Sequence, residues 1–311
     1  MEEKKEKKRR LSKRIIALIV AAAFIAVLGF TALGFFIGYW AADASAYIWT
    51  PSYEKLDESR LREIYFKQEL NDEDYQILFE QTGLTKLGIQ RAKANPTGWA
   101  RVLRIQESYF TKRGIVHQEY VPLVCTDLID GQNAENIFLE RGDIIITSST
   151  HFSGFRIGHS AIVTNGPAEI VFQSNQVGTA NGYSSVGKMF DNRINFMVLR
   201  IKPEYFSENK VDDESYRDNL NRATSFIEHE LYDIPYSVFT GVFTQKDSTA
   251  ATSCSHLLWY GFNHFDDANG GKFNLDLDSN GRLLVVPKDI SRSPYVELVQ
   301  TFGFDPDKMY E

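Results

Sequence analysis

From Ile15 to Ala42 the chain carries no charged residue, and this stretch constrains its organisation more than any motif does. The hydrocarbon core of a bilayer is about 30 Å thick and takes about 20 apolar residues in a helix. The run is long enough to cross it. Residues 1–14 form a basic tip with Lys4, Lys5, Lys7, Lys8, Arg9, Arg10, Lys13 and Arg14, and no such cluster follows the run. That asymmetry predicts a single-pass anchor over residues 15–42 in the cell membrane, with a cytoplasmic N-terminus and an exported body. A signal peptide is the competing reading. Its apolar region usually covers about 7–15 residues, less than here, although Ala42-Asp43-Ala44-Ser45-Ala46 resembles a cleavage site.

The formal net charge is -7 over 311 residues. Because the tip is basic, the remainder is more acidic than that figure. Phosphate recognition needs a basic footprint, so nucleic acid is excluded as a partner. The chain has only two cysteines, Cys125 and Cys254. Export would permit a disulfide between them. The alternative is a reactive Cys254, with Cys125 packing as a small hydrophobe.

Residues 43–56, with Pro51, read as a stalk. Residues 57–138 read as a helical subdomain, most clearly between Asp57 and Phe110. Asn71-Asp72-Glu73-Asp74 is an N-cap and acidic first turn ahead of Ile77, Leu78 and Phe79, and Asn95-Pro96-Thr97-Gly98 is a turn. The character changes near Leu139. Strands are expected at Ile144–Thr147, Ser160–Thr164, Ile170–Gln173 and Phe196–Arg200, separated by turns such as Asn165-Gly166-Pro167. This spacing suits an antiparallel sheet or small barrel rather than βαβ units. Helices are expected over Asp213–Tyr232 and Cys254–Phe265. The fold class is α+β, with residues 139–311 forming one domain.

Two local patterns carry chemistry. In Thr252-Ser253-Cys254-Ser255-His256-Leu257-Leu258-Trp259, a thiol stands where a polar turn becomes an apolar helical pattern. The positive end of a helix dipole favours the thiolate there. In Gly158-His159-Ser160-Ala161-Ile162-Val163, a histidine heads a β-branched run, where a strand would hold a general base. Cysteine and histidine far apart in sequence form a minimal set for thiol acyl transfer.

Six motifs in order resemble the circularly permuted papain-like hydrolases, the YiiX/YycO-like branch of the NlpC-type superfamily. They are Gly142-Asp143-Ile144-Ile145, Gly158-His159-Ser160-Ala161-Ile162-Val163, Val171-Phe172-Gln173-Ser174, Val198-Leu199-Arg200, Ile234-Pro235-Tyr236 and Ser253-Cys254-Ser255. Val286-Pro287-Lys288-Asp289-Ile290 with Ser293-Pro294 resembles the closing segment of that branch. The resemblance covers roughly residues 139–299 and has the permuted order, histidine strand before cysteine helix. It implies a sheet packed on a nucleophile-bearing helix, Cys254 as nucleophile and His159 as base. Gln173 takes the third position, where members often have glutamate. An amide fixes the imidazole but stabilises an imidazolium less than a carboxylate does, so Glu169 or another acid is an alternative. Tyr236 is expected either in the core or lining the substrate pocket, beside Ser255. Arg156 is expected to meet a substrate carboxylate or to sit in a solvated loop.

The reaction implied is hydrolysis of amide bonds in cell-wall peptides or small acylated amines through a thioacyl enzyme. No cofactor is implied. A lipid-directed acyltransferase or thioesterase, with Phe152, Phe155 and Trp259 along an acyl groove, is a second reading. A catalytically idle envelope module is a third. Zinc is not expected, because His117, His151, His229 and His264 lack ligand-like spacing with each other or the cysteines. His256, two residues from Cys254, is expected at the surface or behind the site. Asp276-Leu277-Asp278-Ser279-Asn280-Gly281 matches half a calcium loop, but Pro287 stands where the bidentate acid belongs.

Overall fold

The computed structural model describes residues 2–208, 213–242 and 244–308. It is a mixed helix and sheet protein with antiparallel sheets behind one long apolar helix. That helix, α1, spans Glu2–Ala44, and its section from Ile15 to Ala44 is long and apolar enough to cross a membrane. Thirty helical residues at ~1.5 Å each reach ~45 Å. The hydrocarbon core needs only about 30 Å. The surplus lets the last turns of the helix stand against the body of the protein.

Four helices follow: α2 (Glu58–Tyr65), α3 (Asp72–Thr82), α4 (Lys86–Lys93) and α5 (Gly98–Phe110). Asn71 caps α3 as expected, its side chain accepting from the Asp74 N–H while Asp74 returns a bond to the Asn71 N–H. Residues 57–138 are not helical throughout. Strands β1 (Ile115–Val121) and β2 (Val124–Ile129) form a hairpin that joins β4 (Thr150–Phe152) in a three-stranded sheet of order β1-β2-β4.

The larger sheet contains β3 (Ile144–Thr147), β5 (His159–Asn165), β6 (Ile170–Gln173), β7 (Gly182–Ser185), β8 (Phe196–Ile201) and β9 (Val296–Phe302). Its order is β7-β6-β5-β3-β8-β9, all neighbours antiparallel, with β7 and β9 at the edges. The short helices α6 (Val186–Met189) and α7 (Pro203–Phe206) flank β8. Helices α8 (Asp213–Glu230) and α9 (Cys254–His264) precede α10 (Pro287–Ser291) and β9.

Both faces of this sheet are covered. Ile145, Val163 and Val198 pack with Leu61, Leu78, Ile89 and Ile105 of the helical layer. Ile144, Ile146, Ile162 and Leu199 pack with Leu220, Ile227, Leu257 and Phe262 from α8 and α9. Successive side chains on a strand point to opposite faces, so a strand covered twice reads as an unbroken apolar run. Ile144-Ile145-Ile146 is such a run. Helices α2–α5 therefore pack on the sheet as one layer of a shared core.

Candidate active site

Helix α9 begins at Cys254, and the Ser253 side chain caps it by accepting from the His256 N–H at 3.3 Å. The segment entering the helix is tied to the sheet. The Thr252 carbonyl accepts from Ser174 Oγ at 3.1 Å, and Thr252 Oγ1 donates to Asn181 Oδ1 at 2.9 Å. These buried bonds fix where the thiol emerges. His159 starts β5, one position after Gly158, which has φ +67°. A Cβ on Gly158 would lie 2.5 Å from the Thr147 carbonyl oxygen, so close strand approach and left-handed backbone both require glycine there.

The elements converge on one point. His159 Nε2 lies 2.7 Å from Gln173 Oε1, across the β5–β6 pair. An amide oxygen only accepts, so Nε2 carries the proton and Nδ1 keeps its lone pair. The imidazole is nearly buried and stacks on Phe190, with ring centroids 5.7 Å apart. His159 lies close enough to the Cys254 thiol to act on it, and the Ser160 backbone N–H adds to that influence. Burial alone would push the thiol up. The influence of His159, with smaller help from Ser255 and the Ser160 N–H, overcomes it and pulls the thiol down from its ordinary 9 to about 7. The thiolate is thus well populated at neutral pH. The first turn of α9 leaves N–H groups without helical partners, including that of Cys254, and these can stabilise an oxyanion.

Gln173 is the third member of this arrangement. Glu169 instead occupies a turn at φ +51°, with its N–H bonded to the Gly166 carbonyl. Removing the amide strands a buried N–H and frees the ring to rotate, at a cost of about 1–2 kcal/mol or roughly tenfold in rate. Gln173→Leu is expected to slow alkylation of Cys254 at pH 7 by that factor. Gln173→Glu, which again accepts from Nε2, is expected to restore it.

The remaining residues fall out differently. Tyr236 is half-buried beside the sulfur, and burial together with the Cys254 charge pushes its phenol upward. It stays a neutral hydroxyl. Ser255 is fully buried, with its Oγ 3.3 Å from Ser160 Oγ and 3.7 Å from the Cys254 sulfur. It backs the Cys254 sulfur and is closed to solvent. Arg156 is committed elsewhere, to the Asp127 carboxylate at 2.6 Å and the Ala42 carbonyl at 2.8 Å. Arg156 is exposed, and Asp127 already supplies it with a carboxylate. Phe152 packs on Phe35 of α1, and Trp259 is buried with its Nε1 donating to Asp276, so neither forms an acyl groove.

His256 is buried rather than exposed, and its Nε2 is held by the Lys246 carbonyl at 2.7 Å. In the half calcium loop, Asp278 pairs with Lys246 at 2.6 Å while Asp276 takes the Trp259 N–H, so protein donors meet both carboxylates. Cys125 and Cys254 are both free. Cys125 is not a plain core filler. Its sulfur stands with ligand atoms of Asp43, Asp127 and His151, all within 4.8 Å of one another. Sequence spacing gave no sign of this second cluster, because its members are dispersed from residue 43 to residue 151. Burial pushes the Cys125 thiol up to about 11, with Tyr39 working in the other direction. The two thiols are opposites, one poised and one silent.

No family model, no curated protein and no solved structure matches this chain.

Proposed function

We propose that this chain is a membrane-anchored thiol hydrolase that cleaves amide bonds on the outer side of the membrane. The observation that carries the reading is the meeting of Cys254, His159 and Gln173 at a helix start, with the thiol lowered to about 7 against its own burial. Structural buried cysteines are inert, and a depressed thiol beside a held imidazole is the environment of a nucleophile. The order of histidine strand before cysteine helix, and a sheet packed on that helix, support membership of the permuted papain-like branch that the motifs resemble. The apolar section of α1 and the basic tip before it support a cytoplasmic N-terminus and an external body.

In the reaction, the Cys254 thiolate attacks the carbonyl carbon. His159, carrying the thiol's proton, gives it to the leaving amine as the tetrahedral intermediate collapses to a thioester. Water then attacks the thioester, and His159 takes the water's proton and returns it to the sulfur. Gln173 holds the ring in one tautomer through both halves. The external face and the amide chemistry favour wall peptides and small acylated amines as substrates.

One observation favours a second leaving group. Phe239, Val242 and Leu283 are exposed, and the Gly241 backbone meets Leu283 near the segment that carries Tyr236. An apolar lip of this kind suits an acyl chain, and the leaving group would then be an alcohol or thiol. Full-length protein in detergent, offered short wall-type peptides, acyl amines, acyl esters and thioesters, separates the two readings. The expected result is amine release, with an acyl adduct on Cys254 that Cys254→Ala abolishes. Acylation only by esters and thioesters selects the lipid reading. No acylation by any of them leaves an idle module.

A further inference from the structure

We infer that Asp43, Cys125, Asp127 and His151 form a binding site for one divalent transition-metal ion of the zinc class, which clamps the end of the membrane helix to the small sheet. The four side chains come from three elements. Asp43 lies in the last turn of α1, Cys125 and Asp127 on β2, and His151 on β4. Cys125 and Asp127 are two residues apart on a strand and so share a face. His151 is paired directly opposite Cys125 in the β2–β4 register. Strand geometry thus brings three ligands to one face, and α1 lowers the fourth onto it.

The hydrogen bonds around His151 turn its Nε2 toward Asp43 and the cluster. Its Nδ1 lies 2.7 Å from the Ser153 carbonyl oxygen, which can only accept, so Nδ1 carries a proton. In the neutral ring Nε2 is then a lone pair, and it faces Asp43 Oδ1 at 2.8 Å. A proton shared between the two fills that gap in the absence of a metal, and a metal taking the proton's place would draw on the same two atoms. A carbonyl holding Nδ1–H so that Nε2 faces inward is the usual outer-shell arrangement of a metal-bound histidine.

Burial and donor chemistry agree with this. Cys125, Asp127 and His151 are all fully buried. The fixed cation in contact is Arg156, which takes Asp127 Oδ2, while His117 donates from Nδ1 to Asp127 Oδ1 at 2.8 Å and lies 3.4 Å from Asp43. Two carboxylates exceed one arginine, and the negative end of the α1 dipole adds to the excess. One thiolate, one imidazole and two carboxylates form a closed four-ligand set suited to zinc rather than to calcium or magnesium. Donor atoms on a tetrahedron with bonds of ~2.0–2.3 Å stand roughly 3.3–3.8 Å apart. The present atoms lie within 4.8 Å of one another, with His151 Nε2 and Asp43 Oδ1 at 2.8 Å, so a bound metal would draw the wider pairs in and open that one.

The surroundings are built to bring α1 this close. A Cβ on Gly38 would lie 2.9 Å from Ser153 Oγ and 3.0 Å from the Gly154 nitrogen, so the helix reaches the turn after β4 only because glycine stands there. Ser153 Oγ donates to the Phe35 carbonyl, and the Tyr39 ring lies 5.3 Å from that of His151. A metal at this junction fixes how the body sits on its anchor.

The test uses the full chain in detergent micelles, stripped with chelator and titrated with Co²⁺ and then Zn²⁺. The expected result is one equivalent of Co²⁺ bound with a thiolate-to-cobalt charge-transfer band and tetrahedral d–d bands, all displaced by Zn²⁺. Cys125→Ser should lose the charge-transfer band, and Asp43→Asn and His151→Ala should each weaken binding by more than the roughly 10–100-fold typical of an outer-shell change. Cys254→Ser should leave the spectrum unchanged. Alkylation of Cys254 in each of the other variants reports that the fold is intact. Folded wild-type chain without a charge-transfer band overturns the proposal and leaves an imidazolium–carboxylate pair between His151 and Asp43. A band that survives Cys125→Ser but is lost in Cys254→Ser overturns it too, by moving the metal to the other thiol.

Discussion

Replacing His159 with alanine should turn Cys254 from the faster-labelling thiol of the chain into a nearly inert one. In the native protein its alkylation rate should rise with pH around a midpoint of about 7, the thiolate fraction being lost as pH falls through that value. Two opposing influences set the midpoint. Burial pushes the thiol up, and His159 supplies the main pull downward. Alanine removes the pull and leaves the burial, so the midpoint should move into the ordinary thiol range near 9 or above it. At pH 7 a shift of two units cuts the thiolate from about one half to about one hundredth. Loss of the general acid and base should lower amide hydrolysis further, by roughly 10²–10⁴-fold in all. Above about pH 10 the two labelling curves should converge, since the thiolate then forms without help. Cys125, pushed up to about 11 and fully buried, should remain unlabelled at neutral pH in both proteins and serves as an internal control. An unchanged midpoint in His159→Ala would show that the imidazole does not act on the sulfur.

The parts of this site that were legible in the sequence are those with a local cause. Cys254 stands where a capping serine meets an apolar helical run, and His159 heads a β-branched strand, so each element could be read from its own neighbours. Gln173 ends a strand with the same clear pattern. The hairpin β1–β2 lacked such a signal. It turns at Pro122-Leu123, with Leu123 at φ +68°, a conformation ordinarily assigned to glycine or asparagine. Its first strand, Ile115–Val121, is largely exposed and has no buried face to impose alternation. The packing of the helical segment on the sheet has a different source. The unbroken Ile144-Ile145-Ile146 run already implied a sheet covered on both faces, which needs a second helical layer to supply the other half of the core. The cluster around Cys125 was beyond local reading altogether, because register across β2 and β4 and the reach of α1 bring its members together.

That second layer is also where the largest loss of stability is expected. Asp143 leads into β3 and is fully buried. Its carboxylate takes both terminal nitrogens of Arg91, at 2.6 and 3.2 Å, and the Glu140 N–H at 2.8 Å, while Arg200 Nε stands 3.0 Å away. Arg91 belongs to α4 and Arg200 to β8, so one carboxylate joins the helical layer to the sheet. Arg91 is itself buried, and its guanidinium cannot shed its charge as a lysine could. Asp143→Ala leaves two cations in the interior with one exposed acid, Glu140, as their remaining carboxylate partner. Breaking a buried pair from one side typically costs about 3–5 kcal/mol, most of it the penalty of the abandoned charge. A loss of that size takes much of the stability of an ordinary domain, so the denaturant midpoint of the full chain should fall sharply. Because the damage begins at the junction of two layers, labelling of Cys125 should accelerate at denaturant concentrations where the parent still protects it. The double variant Arg91→Met/Asp143→Leu, which removes the ion pair with its charges, should recover a substantial part of the loss. If Asp143→Ala unfolded at the parent's denaturant concentration, the carboxylate would not be what holds the helical layer to the sheet.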